Sequence, residues 1–384
     1  MVFVKHAHQK AKQPASTYTG TATNQTTQQA VIACAQEFIT RQTKEGSSTT
    51  DLNSAIFGPP SLPTDQLKHQ VVIIEQIEPH ANQVKHVLEQ SGVRKQDIGV
   101  AYIPIAQWQP VDHPSQFMKN LIQGTANSIS HFTSGLKEIE NNLNNTPHVG
   151  LVNISSGVSQ ANDYVTILTA LEAKNSNGNY IFPNLRHEIY QGDLPQSTED
   201  ALNKIATFAR PYFENSSVLQ DAKAEYNQQI EQLTSKGITT VVSAGNDHNP
   251  AFESLGLDHA GDEINLLTTP HTINVAATNE NGQIAPFSSR GDGNTNPDIA
   301  AWGENVRVPH PLDNFDDAVD GKIHGTSFAA PYITSFLSTT NKHINSAPQD
   351  EQRAIRQLAI DTLNSPEEEG YGVFPPFIQL EAIS

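Results

Sequence analysis

The stretch that decides the fold reads His324-Gly325-Thr326-Ser327-Phe328-Ala329-Ala330-Pro331-Tyr332-Ile333-Thr334-Ser335-Phe336. Small residues lead into a serine, and the helical pattern that follows keeps a proline near its start. Proline is tolerated there because the N–H groups of a first turn lack intrahelical acceptors. Ser327 is therefore predicted at a helix N-terminus. A hydroxyl so placed has two readings. It can cap the helix, since serine is a favoured N-cap residue. It can also be a nucleophile, because the helix dipole and nearby backbone donors stabilise the oxyanion formed after attack.

Upstream, short apolar runs alternate with helical stretches. Strands are expected at residues 30–35, 71–74, 100–105, 149–154, 238–244 and 272–277. The clearest helix spans 221–236, with Tyr226, Ile230 and Leu233 at i, i+4 and i+7 and Gly237 where a C-cap favours a left-handed residue. Such alternation predicts a mainly parallel sheet covered by helices on both faces. Residues 1–29 are polar, lack periodicity and read as an N-terminal arm. Residues 46–69 and 173–217, with scattered Gly, Pro and Asn, read as loop insertions. No linker separates two self-sufficient patterns, so residues 30–384 are read as one domain.

Composition narrows the function classes. The chain has 384 residues and a net charge of −18, from 23 basic and 41 acidic side chains. That balance disfavours nucleic acid as a partner, because phosphate binding needs clustered Lys and Arg. No apolar run approaches the roughly 18 residues of a membrane span. The first residues carry basic side chains but no apolar core of a secretory signal. A cytoplasmic protein, or one exported without such a signal, is expected. The single cysteine, Cys34, lies in an apolar run and reads as a buried structural thiol.

The string Gly325-Thr-Ser-Phe-Ala-Ala-Pro331 resembles, position by position, the Gly-Thr-Ser-x-Ala-x-Pro nucleophile signature of the subtilase family of serine proteases. Further similarities occur in the family's order. Gly237-Ile-Thr-Thr-Val-Val-Ser-Ala-Gly-Asn-Asp resembles the strand whose asparagine donates to the oxyanion, here Asn246. Val152-Asn-Ile-Ser-Ser-Gly resembles the substrate-lining strand and turn, which puts Ser155, Ser156 and Gly157 at the substrate. Phe287-Ser-Ser-Arg-Gly, Asp298-Ile-Ala-Ala-Trp-Gly and Gly370-Tyr-Gly-Val resemble later segments, with Trp302 in place of a usual proline. The resemblance implies a three-layer α/β/α sandwich around a central, mainly parallel sheet.

A serine hydroxyl needs a base within hydrogen-bond reach. The counterpart of the family's histidine helix is Pro79-His80-Ala-Asn-Gln-Val84-Lys-His-Val87-Leu88, where Val84, Val87 and Leu88 mark an apolar face. His80 is the expected base, with His69 and His86 as rivals. The family's third member is an aspartate closing the first strand, which holds the imidazole tautomer and stabilises its charge. Aligned on the run at residues 30–35, that place falls on Gln36, which carries no charge. Glu37, one residue on, is the expected acid. Asp51 lacks a strand before it, and Glu75 and Glu78 lie within the strand that leads to His80.

The resemblance thus implies an endopeptidase acting on protein or peptide, with Ser327 as nucleophile, His80 as general base, and Asn246 with the Ser327 backbone N–H in the oxyanion hole. No cofactor is needed for that chemistry. Family members often bind structural Ca²⁺; acidic loops such as residues 313–320 could serve, and no ligand is assigned. Gln36, together with a weakened helix motif in which Ala81 stands for glycine and Asn82 for threonine, motivates a second reading, a pseudo-protease whose cleft binds peptide or protein without turnover. The acidic C-terminal tail resembles that of some bacterial effectors, although such tails are usually only solvated surface, so an effector-type role stands as the lesser reading. An esterase is disfavoured, because no Gly-x-Ser-x-Gly elbow surrounds Ser327.

Overall fold

Runs of β-branched and aliphatic residues make the strands, since branched side chains pack well on a pleated surface. A computed structural model describes residues 71–143, 149–248, 264–291, 296–308, 322–340, 370 and 372–374. Six strands form one parallel sheet: β1 (Val71–Glu75), β2 (Ile98–Tyr102), β3 (Leu151–Ile154), β4 (Thr239–Ser243), β5 (Thr272–Thr278) and β6 (Ile299–Trp302), in the order β2-β1-β3-β4-β5-β6. A short antiparallel pair, β7 (Val306–Arg307) and β8 (Lys322–Ile323), stands apart. The expected strand at 30–35, the N-terminal arm and the insertion at 46–69 lie outside the described residues, as do Cys34, Gln36, Glu37, Asp51 and His69.

Seven α-helices cover the sheet among the described residues: α1 (Glu78–Gln90), α2 (Pro114–Asn142), α3 (Gln160–Glu172), α4 (Pro183–Tyr190), α5 (Thr198–Glu214), α6 (Ser217–Ser235) and α7 (Thr326–Thr340). Strand alternation sorts them into two layers. Val72 and Ile74 of β1 and Val152 and Ile154 of β3 pack with α2 to α6. Val71 and Ile73 of β1, Leu151 of β3 and Val275 of β5 pack with α1 and α7 on the other face. The expected three-layer sandwich is thereby present, and both faces of the sheet are buried, as parallel sheets require.

Residues 173–217 are the point of departure from the sequence reading, because they contain α4 and α5 rather than loop alone. The residues that suggested loop are helix starters. Pro183 stands at the first position of α4. Ser197 caps α5 by accepting from Asp200 N, and Ser216 caps α6 by accepting from Leu219 N. The helix expected at 221–236 begins four residues earlier for that reason and ends as anticipated, with Gly237 at a φ of 80°.

The order of strands creates a crevice. From β1 the chain crosses outward to β2 over α1, then returns past β1 to β3 over α2 on the opposite face. Direction reverses between β1 and β3, and at such a switch point the connections leave a cleft beyond the carboxyl ends of the strands. Glu75 closes β1 there, and residues 155–159 leave β3 beside it.

Helix α7 is held over the same edge. Thr334 Oγ1 donates to Asn153 Oδ1 at 2.8 Å, and Ser335 Oγ to the carbonyl of Ser91 at 2.6 Å. Trp302 stacks on Tyr332 with ring centroids 5.7 Å apart. Gly303 lets the strand end approach: Gly325 N donates to its carbonyl at 2.8 Å, and a Cβ on Gly303 would lie 2.6 Å from Gly325 O and 2.8 Å from the Ala277 Cβ. Neither neighbour can rotate away. Gly303→Ala is therefore expected to cost at least the ~1–3 kcal/mol of an overpacked core, read as a lower denaturant midpoint with an unchanged slope.

Candidate active site

Glu75, His80, Ser327 and Asn246 arise from four different elements or their ends, and their side chains are all buried. Alternation in β1 places Glu75 on the face shared by Val71 and Ile73, the side covered by α1 and α7. Two residues past the strand α1 begins, with Pro79 and then His80 in its first turn. Val84, Val87 and Leu88 bury the face of α1 that the sequence marked. The His80 ring lies against Phe328, centroids 5.4 Å apart, so it stands over the first turn of α7.

The carboxylate on His80 is Glu75. His80 Nδ1 and Glu75 Oε2 are 2.6 Å apart. Glu75 Oε1 accepts from the Gln76 backbone N–H at 2.7 Å and from the Ser156 hydroxyl. Burial alone would push this carboxyl up, but the charge and hydrogen bond of His80, with the Ser156 and Gln76 donors, outweigh it and hold Glu75 below the usual carboxylate range. Glu37, the acid expected from sequence, lies outside the described residues. Glu78 is exposed on α1. The missed signal was alternation: residues 71, 73 and 75 share one face, and a helix-opening histidine follows at once.

On the other side of the ring, His80 Nε2 is buried with no hydrogen-bond partner among the described residues, and so is Ser327 Oγ. Ser327 sits in the first turn of α7, as expected, and its unpaired hydroxyl does not cap the helix. The contact of the His80 ring with Phe328, the residue after Ser327, sets both side chains at the start of α7. Asn246 is oriented by its neighbours. Its Oδ1 accepts from Thr326 N at 2.7 Å and from Thr326 Oγ1 at 2.9 Å. That fixes the amide and leaves Nδ2 buried and unpaired among the described residues.

The proposed substrate wall divides. Ser155 is buried, accepting from Asn153 Nδ2 at 2.7 Å, and Ser156 turns toward Glu75, whereas Gly157 is half-exposed. His86, the rival base on α1, is half-buried; burial pushes its imidazole down, against the opposing charge of Glu89. No group of three His, Cys, Asp or Glu side chains poised for a metal occurs among the described residues, and residues 313–320 lie outside them.

Two further buried carboxylates, Asp163 and Asp247, lie near one another. Burial pushes Asp163 up to about 8, against a hydrogen bond from Thr125 Oγ1 at 2.8 Å and with further help from the nearby Asp247 charge. Asp247, next to Asn246, is likewise raised by burial while it accepts from Ser159 Oγ at 2.5 Å.

A sequence model described as the subtilase family matches residues 136–372. No curated protein matches the chain. Among solved structures, MycP1 from Mycobacterium smegmatis is 16% identical, with 82% of this chain and 79% of that chain covered and a TM-score of 0.42. The patellamide maturation protease PatA is 14% identical, covering 80% and 93%, with a TM-score of 0.40. The prenylagaramide maturation protease PagA is 13% identical, covering 81% and 92%, also at 0.40.

The two acidic features give opposite pH dependences. A lowered carboxyl such as Glu75 contributes stability that is present above the ordinary carboxylate range and is lost as pH falls through its folded value. A raised one works the other way: between about 4 and about 8 the folded state binds more protons than the unfolded, so stability falls as pH rises. Asp163→Asn, which keeps an acceptor for Thr125 but cannot ionise, is expected to flatten that decline. Urea titrations across the range check it, and an unchanged slope would count against a protonated Asp163.

Proposed function

The chain belongs to the subtilase family of serine proteases, and from that premise we propose that it is a serine endopeptidase working through Ser327, His80 and Glu75. The carrying observation is the 2.6 Å contact of Glu75 with His80 Nδ1, beside a helix whose first turn bears a Ser327 hydroxyl unpaired among the described residues. With Nδ1–H donating to Glu75, the neutral ring presents Nε2 as its basic atom. In the proposed reaction, Ser327 Oγ attacks the scissile carbonyl as its proton passes to Nε2. Glu75 stabilises the imidazolium that results. His80 then returns the proton to the leaving amine, and water repeats the sequence to release the acyl group.

Asn246 Nδ2 is the proposed side-chain donor to the developing oxyanion, with the Ser327 backbone N–H as its companion. An amide whose oxygen is already engaged by Thr326 needs no reorganisation when charge appears. The substrate is a peptide or protein chain in this reading. A carboxylate on the His80 ring supports turnover over binding alone, since the lack of an acid at Gln36 was one of the two motives for a pseudo-protease. Among the described residues no helix is long and apolar enough to cross a membrane.

A fluorophosphonate probe, which phosphonylates activated serines, is expected to label the wild type and not Ser327→Ala. Labelling that survives in Ser327→Ala sinks the assignment of the nucleophile. Glu75→Gln keeps the hydrogen-bonding shape but loses the charge and tautomer control. Peptide hydrolysis should fall on the order of 10⁴-fold in kcat, the cost of the comparable change in another serine protease. Activity within a few-fold of wild type would mean that another acid serves His80.

A further inference from the structure

Glutamate reaches His80 where the family resemblance leads one to expect aspartate, and its extra methylene adds a torsion that must be fixed. Oε2 meets the imidazole, so the fixing falls to Oε1. One of its two donors, the Gln76 N–H, is local to β1. The other, the Ser156 hydroxyl, arrives across the switch point from the segment after β3. Sequence pattern had put Ser156 among the residues that touch substrate, yet its side chain is buried and points to the acid.

Ser156 is itself held. Its carbonyl accepts from Asn265 Nδ2 at 3.1 Å, and the same amide nitrogen donates to the Ser243 carbonyl at the end of β4, at 2.9 Å. Asn265 Oδ1 accepts from Val158 N at 3.1 Å. Asn265 is buried, so the turn after β3 is clamped to β4 by a side chain that water cannot readily displace.

We propose that Ser156 is a positioning residue for Glu75: clamped through Asn265, its hydroxyl locks Oε1 so that Oε2 stays on His80 Nδ1. The idea deepens the proposed Ser327, His80 and Glu75 reading and rests on it. A donor to a carboxylate is charge-assisted and therefore among the stronger hydrogen bonds. Its loss leaves Glu75 tied at Oε1 by the Gln76 N–H alone, and the carboxylate then samples orientations that do not serve the ring.

The test is Ser156→Ala with two readouts: steady-state peptide hydrolysis, and the low-field proton resonance of His80 Nδ1–H in the resting protein. The expected result is a kcat lowered about 10- to 100-fold, an unchanged KM, and a low-field resonance that moves upfield or broadens away. A raised KM with kcat retained would return Ser156 to the substrate wall and overturn the proposal. An unmoved resonance would overturn it as well. If the wild type neither hydrolyses peptides nor takes the probe, the peptidase reading fails by itself. The resonance then still decides whether Ser156 fixes the acid.

Discussion

The buried contact between His80 and Glu75 is the constraint around which the rest is arranged. Two ionisable groups removed from water are expensive to hold, and their attraction compensates only when the remaining lone pairs and protons are satisfied. Here the carboxylate receives three donors, from His80, Gln76 and Ser156. Gln76 and His80 follow Glu75 closely in the chain, whereas Ser156 arrives from 81 residues away. The contact therefore exists only if β1 ends, α1 begins and the β3 turn passes at one level of the sheet, which the parallel register of β1 with β3 provides.

Helix α7 completes the arrangement from the same face. Its serine is placed by contacts that involve no serine chemistry: Thr334 on Asn153, Ser335 on Ser91, Trp302 on Tyr332, and the close passage of Gly303 under Gly325. These ties reach β3, the C-cap of α1 and β6, so the body of α7 is pinned at three places. Preorganisation of that kind suits chemistry in which donors and base must stand ready before charge develops. Asn246 is the same device in small, its oxygen engaged by Thr326 and its N–H₂ left over.

The legible parts of the sequence were those whose physics is local. Local pattern put Ser327 and His80 at helix starts, where the described structure has them, whereas the part given to Asn246, just past the end of β4, came from the family resemblance. The acid was a different matter. Glu75 was ranked below Glu37 because it belongs to the strand leading to His80, whereas its place in that strand is what aims it: alternation sends residues 71, 73 and 75 to one side. The stretch at 173–217 misled for a related reason, since Pro183, Ser197 and Ser216 punctuate helices as readily as loops.

Sequence alone determined the layered α/β architecture, because strand and helix periodicities and the caps between them depend on residues a few positions apart. Its motifs singled out Ser327, His80 and Asn246 as candidates through their resemblance to a known family. That Glu75 meets the His80 ring, and that the Ser156 hydroxyl turns to Glu75, was decided only by tertiary structure. Those choices depend on how β1 and β3 abut at the switch point, a contact between residues 81 positions apart that no local pattern encodes.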